Sequence, residues 1–155
     1  MIEIRKAGLT DIWGIYNCNK SILPIYYSPE EYLMFMMSSG MLILVAYEGD
    51  ELCGYLVAQH TPPTIHIMSF GVYEKHRRKG IGRQLIEKTE EIATKESDKI
   101  KRVSLFVHAD NIGGLKFYKK YGFKKVKTLP NYYKGSLKNA KTQDAYRLEK
   151  KITIN

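Results

Sequence analysis

Hydrophobic positions change period several times along this chain, and each change predicts an element. Ile2 and Ile4 alternate with polar neighbours, which predicts a short strand. Thr10-Asp11 then offers N-cap chemistry for a helix carrying Ile12, Ile15 and Tyr16. Ser28-Pro29-Glu30-Glu31 predicts a second helix start, with Ser28 as the cap, Pro29 at the first helical position and Glu31 closing a capping box. The runs 41–47 and 52–59 are apolar with β-branched and aromatic members, and Glu48-Gly49-Asp50-Glu51 between them predicts an antiparallel hairpin. Thr61-Pro62-Pro63 is expected to break the pairing before a further strand over 64–72.

Beyond Gly82 the spacing of Leu85, Ile86, Thr89 and Ile92 becomes helical, and this helix is expected to fade near Ser97. Residues 103–107 form a compact apolar strand, and 111–121 read as a helix with Leu115, Phe117 and Tyr118 before a stop at Gly122. The order strand, helix, strand, helix predicts a parallel pair with a crossover, flanked by antiparallel strands. Segments 123–128 and 145–152 complete the strands, while 134–142 is a polar excursion without a period. With no repeat or linker, the expectation is one mixed α/β domain over residues 1–155.

Charge and cysteine content narrow the setting. Lys and Arg number 25 against 16 Asp and Glu, a net charge of +9 that favours a polyanionic partner without choosing a nucleotide cofactor, RNA or a membrane surface. Cys18 and Cys53 are too few for a disulfide framework and lack metal-ligand spacing, so ordinary packing is expected. There is no apolar run of about 18 residues. Residues 1–8 carry Glu3, Arg5 and Lys6 where a signal peptide needs an apolar stretch, so a cytoplasmic protein without a membrane partner is expected.

The chemistry concentrates between the strand ending near Val72 and the following helix. Gly80 and Gly82 remove Cβ atoms where backbone amides would approach a phosphate, and the helix start adds unpaired N–H groups at a positive dipole end. Arg77, Arg78, Lys79 and Arg83 surround that turn with charge. The pattern satisfies neither a P-loop nor a dinucleotide-binding turn.

Arg77-x-x-Gly80-x-Gly82 resembles the Gln/Arg-x-x-Gly-x-Gly/Ala signature of the GNAT acetyltransferases, and Phe117-Tyr118-Lys119-Lys120-Tyr121-Gly122-Phe123 resembles the family's F-Y-x-x-x-G-F element. Leu23-Pro24-Ile25-Tyr26-Tyr27, His66-Ile67-Met68-Ser69 and Asn131-Tyr132-Tyr133 are similar to protein N-terminal α-amine acetyltransferases, the NatE catalytic type and archaeal-like forms above all. The resemblance implies a GNAT fold: a mixed, mostly antiparallel sheet of about six or seven strands with a splayed parallel pair, flanked by about four helices. It implies acetyl-CoA as cofactor, with Arg77, Arg78, Lys79, Gly80, Ile81, Gly82 and Arg83 on the pyrophosphate. Backbone groups of Phe70 and Val72 would then pair with the pantetheine arm, Asn111 would contact the cofactor at the splay, and Tyr118 would lie near the sulfur as proton donor.

The same resemblance places Leu23, Pro24, Ile25 and Tyr27 on one side of an acceptor groove, Tyr132 and Tyr133 on the other and Met68 on its floor. Apolar Ile25 implies preference for a hydrophobic first residue such as Met. The chain departs from the family at Phe106, where a polar residue commonly helps to take the amine proton. His66, expected on one alternating face with Met68 and Phe70, and His108, two residues beyond Phe106, are candidate bases, with bulk water the alternative. His60 and His76 are expected to be solvated, and no histidine pair has metal spacing.

Protein N-termini are the expected partners, with ribosome proximity compatible with the charge and no specific nucleic acid. Lysine side chains and small amines remain alternative acceptors. An RNA-binding module would instead use Lys116, Lys119, Lys120, Lys124, Lys125 and Lys127, a cluster that otherwise reads as a solvated face.

Overall fold

Residues 1–153 are described by a computed structural model. The strands are β1 (Ile2–Lys6), β2 (Met41–Glu48), β3 (Glu51–Thr61), β4 (Thr64–Val72), β5 (Arg102–His108), β6 (Lys124–Leu129) and β7 (Ala145–Lys151). The helices are α1 (Ile12–Ile22), α2 (Pro29–Met37), α3 (Ile81–Glu96) and α4 (Ile112–Lys120). All seven strands join one sheet in the order β1-β2-β3-β4-β5-β7-β6, antiparallel except for β4 beside β5.

Local chemistry explains where elements begin. Ser28 Oγ accepts from the Glu31 amide at 3.1 Å while the Ser28 amide donates to Glu31 Oε1 at 3.0 Å, so α2 opens on a complete capping box. Ahead of α1 the buried Asp11 carboxylate accepts from Arg5 Nη1 at 2.8 Å, the Gly8 amide at 2.7 Å and the Tyr47 hydroxyl at 2.7 Å. That cluster fastens the start of α1 to β1 and β2. Pro62-Pro63 does not break the β3–β4 pairing; the two prolines form the hairpin turn, and pairing continues to Thr61 opposite Thr64. Proline lacks an amide hydrogen, so it fits the turn positions that need no ladder bond.

Each sheet face has its own core. Leu44, Leu56, Ile65, Ile67, Val103 and Leu105 pack beneath Leu85 and Ile86 of α3. On the opposite face, Ile15 and Cys18 of α1 and Tyr32 of α2 cover Val45, Tyr55 and Val57. Cys18 and Cys53 are both buried free thiols, and burial pushes the Cys18 thiol up to about 12, which keeps it unreactive.

Two irregularities in β4 shape the centre of the molecule. Pairing with β5 runs only from Thr64 opposite Arg102 to Ile67 opposite Leu105, after which the two parallel strands part. On the other edge, Val57 pairs with Ser69 while Ala58 pairs with Ile67, so Met68 is an extra, bulged residue. A bulge changes the phase of a strand. Ile65, Ile67, Phe70 and Val72 therefore pack on the α3 face, whereas Met68 packs on the α1 face. The expectation that Phe70 shares a face with His66 and Met68 is corrected by this phase change.

Candidate active site

The turn after β4 is open and sharply folded. Arg77, Arg78 and Lys79 are exposed, and Arg78 and Gly80 adopt left-handed backbone angles with φ of 66° and 78°. Such residues turn successive amides toward one concavity, the geometry of an anion nest. Gly80 is also the N-cap of α3, whose first amides face the same space. A left-handed arginine is strained, and strain of this kind gathers at functional turns.

Gly82 is required for a different reason. A Cβ there would lie 3.1 Å from Phe117 Cζ and 3.2 Å from Phe70 Cζ, so its absence lets the first turn of α3 settle on those rings. The charged side chains also divide their work. Arg77 Nε donates to the Val72 carbonyl at 3.1 Å, Lys79 lies 3.7 Å from Glu48 and Arg83 lies 3.7 Å from Glu87, while Arg78 projects into solvent. His76 is buried rather than solvated; Lys79 Nζ approaches its Nδ1 at 3.3 Å, and Glu51 lies 3.3 Å from its Nε2 without making a hydrogen bond. His60 is half-buried, with Nε2 enclosed beside a 60 Å³ cavity lined by Ala93 and Glu96. A second cavity of 410 Å³ runs along Gly14, Leu52 and Lys75, also away from the parted strands.

The gap between β4 and β5 presents backbone groups. The Tyr73 amide donates to Cys53 O at 2.8 Å, which marks Cys53 and Tyr73 as a hydrogen-bonded pair. Alternation then turns the amides and carbonyls of Phe70 and Val72 away from β3 and into the gap. The Val72 carbonyl is taken by Arg77 Nε, leaving its amide and both Phe70 groups facing that space. Asn111 N-caps α4 beside the gap, its Oδ1 accepting from the Gly114 amide at 2.9 Å.

Tyr118 projects from α4 against Phe70 and Phe123, with ring centroids 6.3 and 5.4 Å away. Burial raises its phenol above the ordinary tyrosine value, so it stays protonated. On the other face, a chain of edge-on rings runs from His66 to Phe106 (4.7 Å), Tyr132 (5.3 Å), Tyr133 (5.1 Å) and His108 (5.5 Å). His66 is lowered by burial and then by the charge of Arg147, and is neutral at neutral pH. Its Nδ1 lies 2.7 Å from the buried Ser104 Oγ. His108 Nε2 lies 2.7 Å from the Thr142 carbonyl.

Above this face stand two irregular segments. Leu23 to Tyr27 link α1 to α2, with Ile25 exposed and the Tyr27 amide held by Asn19 Oδ1 at 3.2 Å. Tyr27 is raised by burial and next by the proximity of Tyr132, so the two segments approach each other. Tyr132 and Tyr133 lie near the start of the long β6–β7 connection, which Gln143 ties together: its Oε1 accepts from the Gly135 and Leu137 amides and its Nε2 donates to Leu137 O.

Comparison with known proteins places this arrangement. The Acetyltransferase (GNAT) family profile matches residues 9–123, well over half of the chain. The chain belongs to the GNAT acetyltransferase family. An N-alpha-acetyltransferase of Sulfurisphaera tokodaii is 32% identical, covering 93% of this chain and 89% of its own. N-alpha-acetyltransferase 50 of Danio rerio is 27% identical over 97% of this chain and 89% of its own. Among solved structures, Ard1 of Thermoplasma volcanium superposes with a TM-score of 0.86 at 26% identity, covering 99% of both chains.

The GNAT enzyme uses acetyl-CoA, and its residues suit that molecule. The exposed turn at Arg78–Gly80 would suit a pyrophosphate, and the Phe70 backbone together with the Val72 amide would suit an amide-bearing arm lying along β4. Acetyl-CoA supplies an activated thioester; the protein supplies donors and a protonated phenol around the place where the strands part. Among the described residues no group of three His, Cys, Asp or Glu is arranged to hold a metal ion. Ser104, Arg147, Asn19 and Gln143 were not singled out by the sequence. Their importance arises from partners 38, 41, 8 and 6 positions away or across the sheet, and no local motif marks them.

Proposed function

We propose that this GNAT enzyme transfers acetyl from acetyl-CoA to the α-amine of protein N-termini, favouring a hydrophobic first residue such as Met. The observation that supports this reading is aromatic and apolar clustering on the α1 face: Tyr132 packs on Phe106 at 5.3 Å and influences Tyr27, and Met68 lies on the same face, so that in this reading Leu23, Pro24, Ile25 and Tyr27 form one wall of an acceptor groove and Tyr132 and Tyr133 the other. A free chain terminus is narrow enough to enter between two such walls, with its first side chain against Ile25. The names of the archaeal and zebrafish relatives support the α-amine as acceptor.

In this reading the reaction is a direct attack within a ternary complex. The nest from Arg77 to Arg83 holds the pyrophosphate, and Asn111 steadies the cofactor at the splay. The Phe70 amide polarises the acyl oxygen. The neutral amine forms a C–N bond as the C–S bond breaks, His66 or His108 takes the amine proton directly or through water, and Tyr118 returns a proton to the departing thiolate.

No helix among the described residues is long and apolar enough to cross a membrane. We place the enzyme in the cytoplasm, where its basic surface suits work near the ribosome on emerging chains. The test is kcat/KM for peptides beginning Met-Leu, Ser-Glu and Ala-Ser. Burying one apolar side chain is worth about 1.5–3 kcal/mol, so Met-Leu is expected to lead by about tenfold or more. Equal values for all three peptides would contradict the groove assignment.

A further inference from the structure

Two histidines face the acceptor side of the sheet, and their hydrogen bonds distinguish them. Ser104 is fully buried on β5, and His66 Nδ1 is the side-chain partner of its hydroxyl at 2.7 Å. A serine hydroxyl carries one hydrogen and needs an acceptor for it. If His66 donated from Nδ1, the Ser104 hydrogen would be left without a partner inside the sheet, which is unfavourable for a buried donor. Donation from Ser104 to Nδ1 removes that cost, and the ring hydrogen then sits on Nε2.

His108 has the opposite assignment of free atoms. Its Nε2 lies 2.7 Å from the Thr142 carbonyl, which can only accept, so Nε2 carries the hydrogen and Nδ1 keeps its lone pair. Among the described residues no hydrogen bond engages His108 Nδ1, and a ring held by a carbonyl through one nitrogen with a free lone pair on the other suits a proton acceptor.

We propose that Ser104 is a positioning residue that fixes His66 as an Nε2–H donor toward the acceptor groove, and that His108 Nδ1 is the atom that receives the amine proton. The proposal rests on the α-amine reading and decides between the two histidines that it leaves open. Proton balance is kept: the neutral amine loses one proton to His108 as the C–N bond forms, Tyr118 gives one to the thiolate as the C–S bond breaks, and solvent restores both residues. His66 contributes a hydrogen bond to the peptide or to a bridging water and exchanges no proton. The Arg147 guanidinium, over Phe106 at 5.8 Å and paired with Glu149, disfavours a second proton on His66. Phe106, which has no group that exchanges protons, packs its ring against His66.

Ring tautomers are read directly from long-range proton–nitrogen correlation spectra of isotope-labelled enzyme near neutral pH, with each histidine assigned by its own substitution. The expected result is His66 protonated at Nε2 alone, relaxing to a mixture of tautomers in Ser104→Ala and returning to Nε2–H in Ser104→Thr. His66 protonated at Nδ1 in the unsubstituted enzyme overturns the proposal. A kinetic arm uses glutamine, whose amide nitrogen reproduces an Nε2 donor but cannot accept a proton. His108→Gln is expected to lower kcat by about 100-fold or more and His66→Gln by about tenfold or less. The reverse order overturns the proposal. Because the spectra need no turnover, an enzyme inactive on every peptide would defeat the α-amine reading, whereas an active enzyme with the reverse order would defeat this assignment alone.

Discussion

Protonation of Tyr118 depends on where its ring is stored. Packed against Phe70 and Phe123, the phenol is held above its ordinary value by loss of water and remains a donor throughout the pH range in which amines are nucleophilic. Tyr118→Phe keeps the ring and removes the proton. It is expected to lower kcat by about 100-fold while acetyl-CoA affinity changes by less than about threefold, measured by steady-state kinetics and calorimetry. Unchanged turnover would remove Tyr118 from the chemistry. The two glycines of the signature teach a related lesson at this scale: Gly80 meets a backbone requirement, φ of 78°, and Gly82 meets a packing requirement imposed by Phe70 and Phe117. Sequence alone assigns both to the phosphate, because contact with Phe117 becomes visible only when α3 and α4 are brought together.

Among the elements, the join between β1 and α1 carries the clearest pH signature. Burial alone would raise Asp11, but hydrogen bonds from Arg5, the Gly8 amide and Tyr47 outweigh it and leave its carboxyl below the usual range. A depressed carboxylate stabilises the fold above its unfolded value of about 3.9, and that contribution is lost as pH falls through the lower folded value. Because Arg5 is 43% exposed, solvent screens part of the pair. Asp11→Ala is expected to cost about 1.5–3 kcal/mol at neutral pH and to flatten the acid side of the stability profile in urea titrations. An acid slope equal to that of the unsubstituted protein would contradict this account.

Elements built from neighbouring residues were the legible ones: the Ser28–Glu31 capping box, the Gly49-Asp50 turn and the amphipathic α3 all follow from local order. The bulge at Met68 was not, because a one-residue slip between strands is decided by which pairs bury best across the sheet. It decides that the backbone of Phe70 rather than that of Ser69 faces the gap. The β6–β7 connection was hidden for a similar reason. Its polar residues show no period, yet Gln143 holds it by three hydrogen bonds and Leu137 anchors it in the interior.

At the scale of the whole molecule, the sheet separates two tasks. In the proposed reading the α3 face and the turn before it hold the anionic end of acetyl-CoA, the α1 face with its aromatic walls receives the amine, and the parted strands join the two. The net charge of +9 favours the cofactor's approach without selecting the acceptor, a choice the proposed groove would make. That choice is tested most directly by incubating the enzyme with acetyl-CoA and a peptide that begins with Met-Leu and carries one internal lysine, then locating the added acetyl group by fragmentation mass spectrometry. The account predicts a single acetyl group on the terminal nitrogen. Acetylation of the lysine with the terminus left free, or thiol release only with small amines, would contradict it.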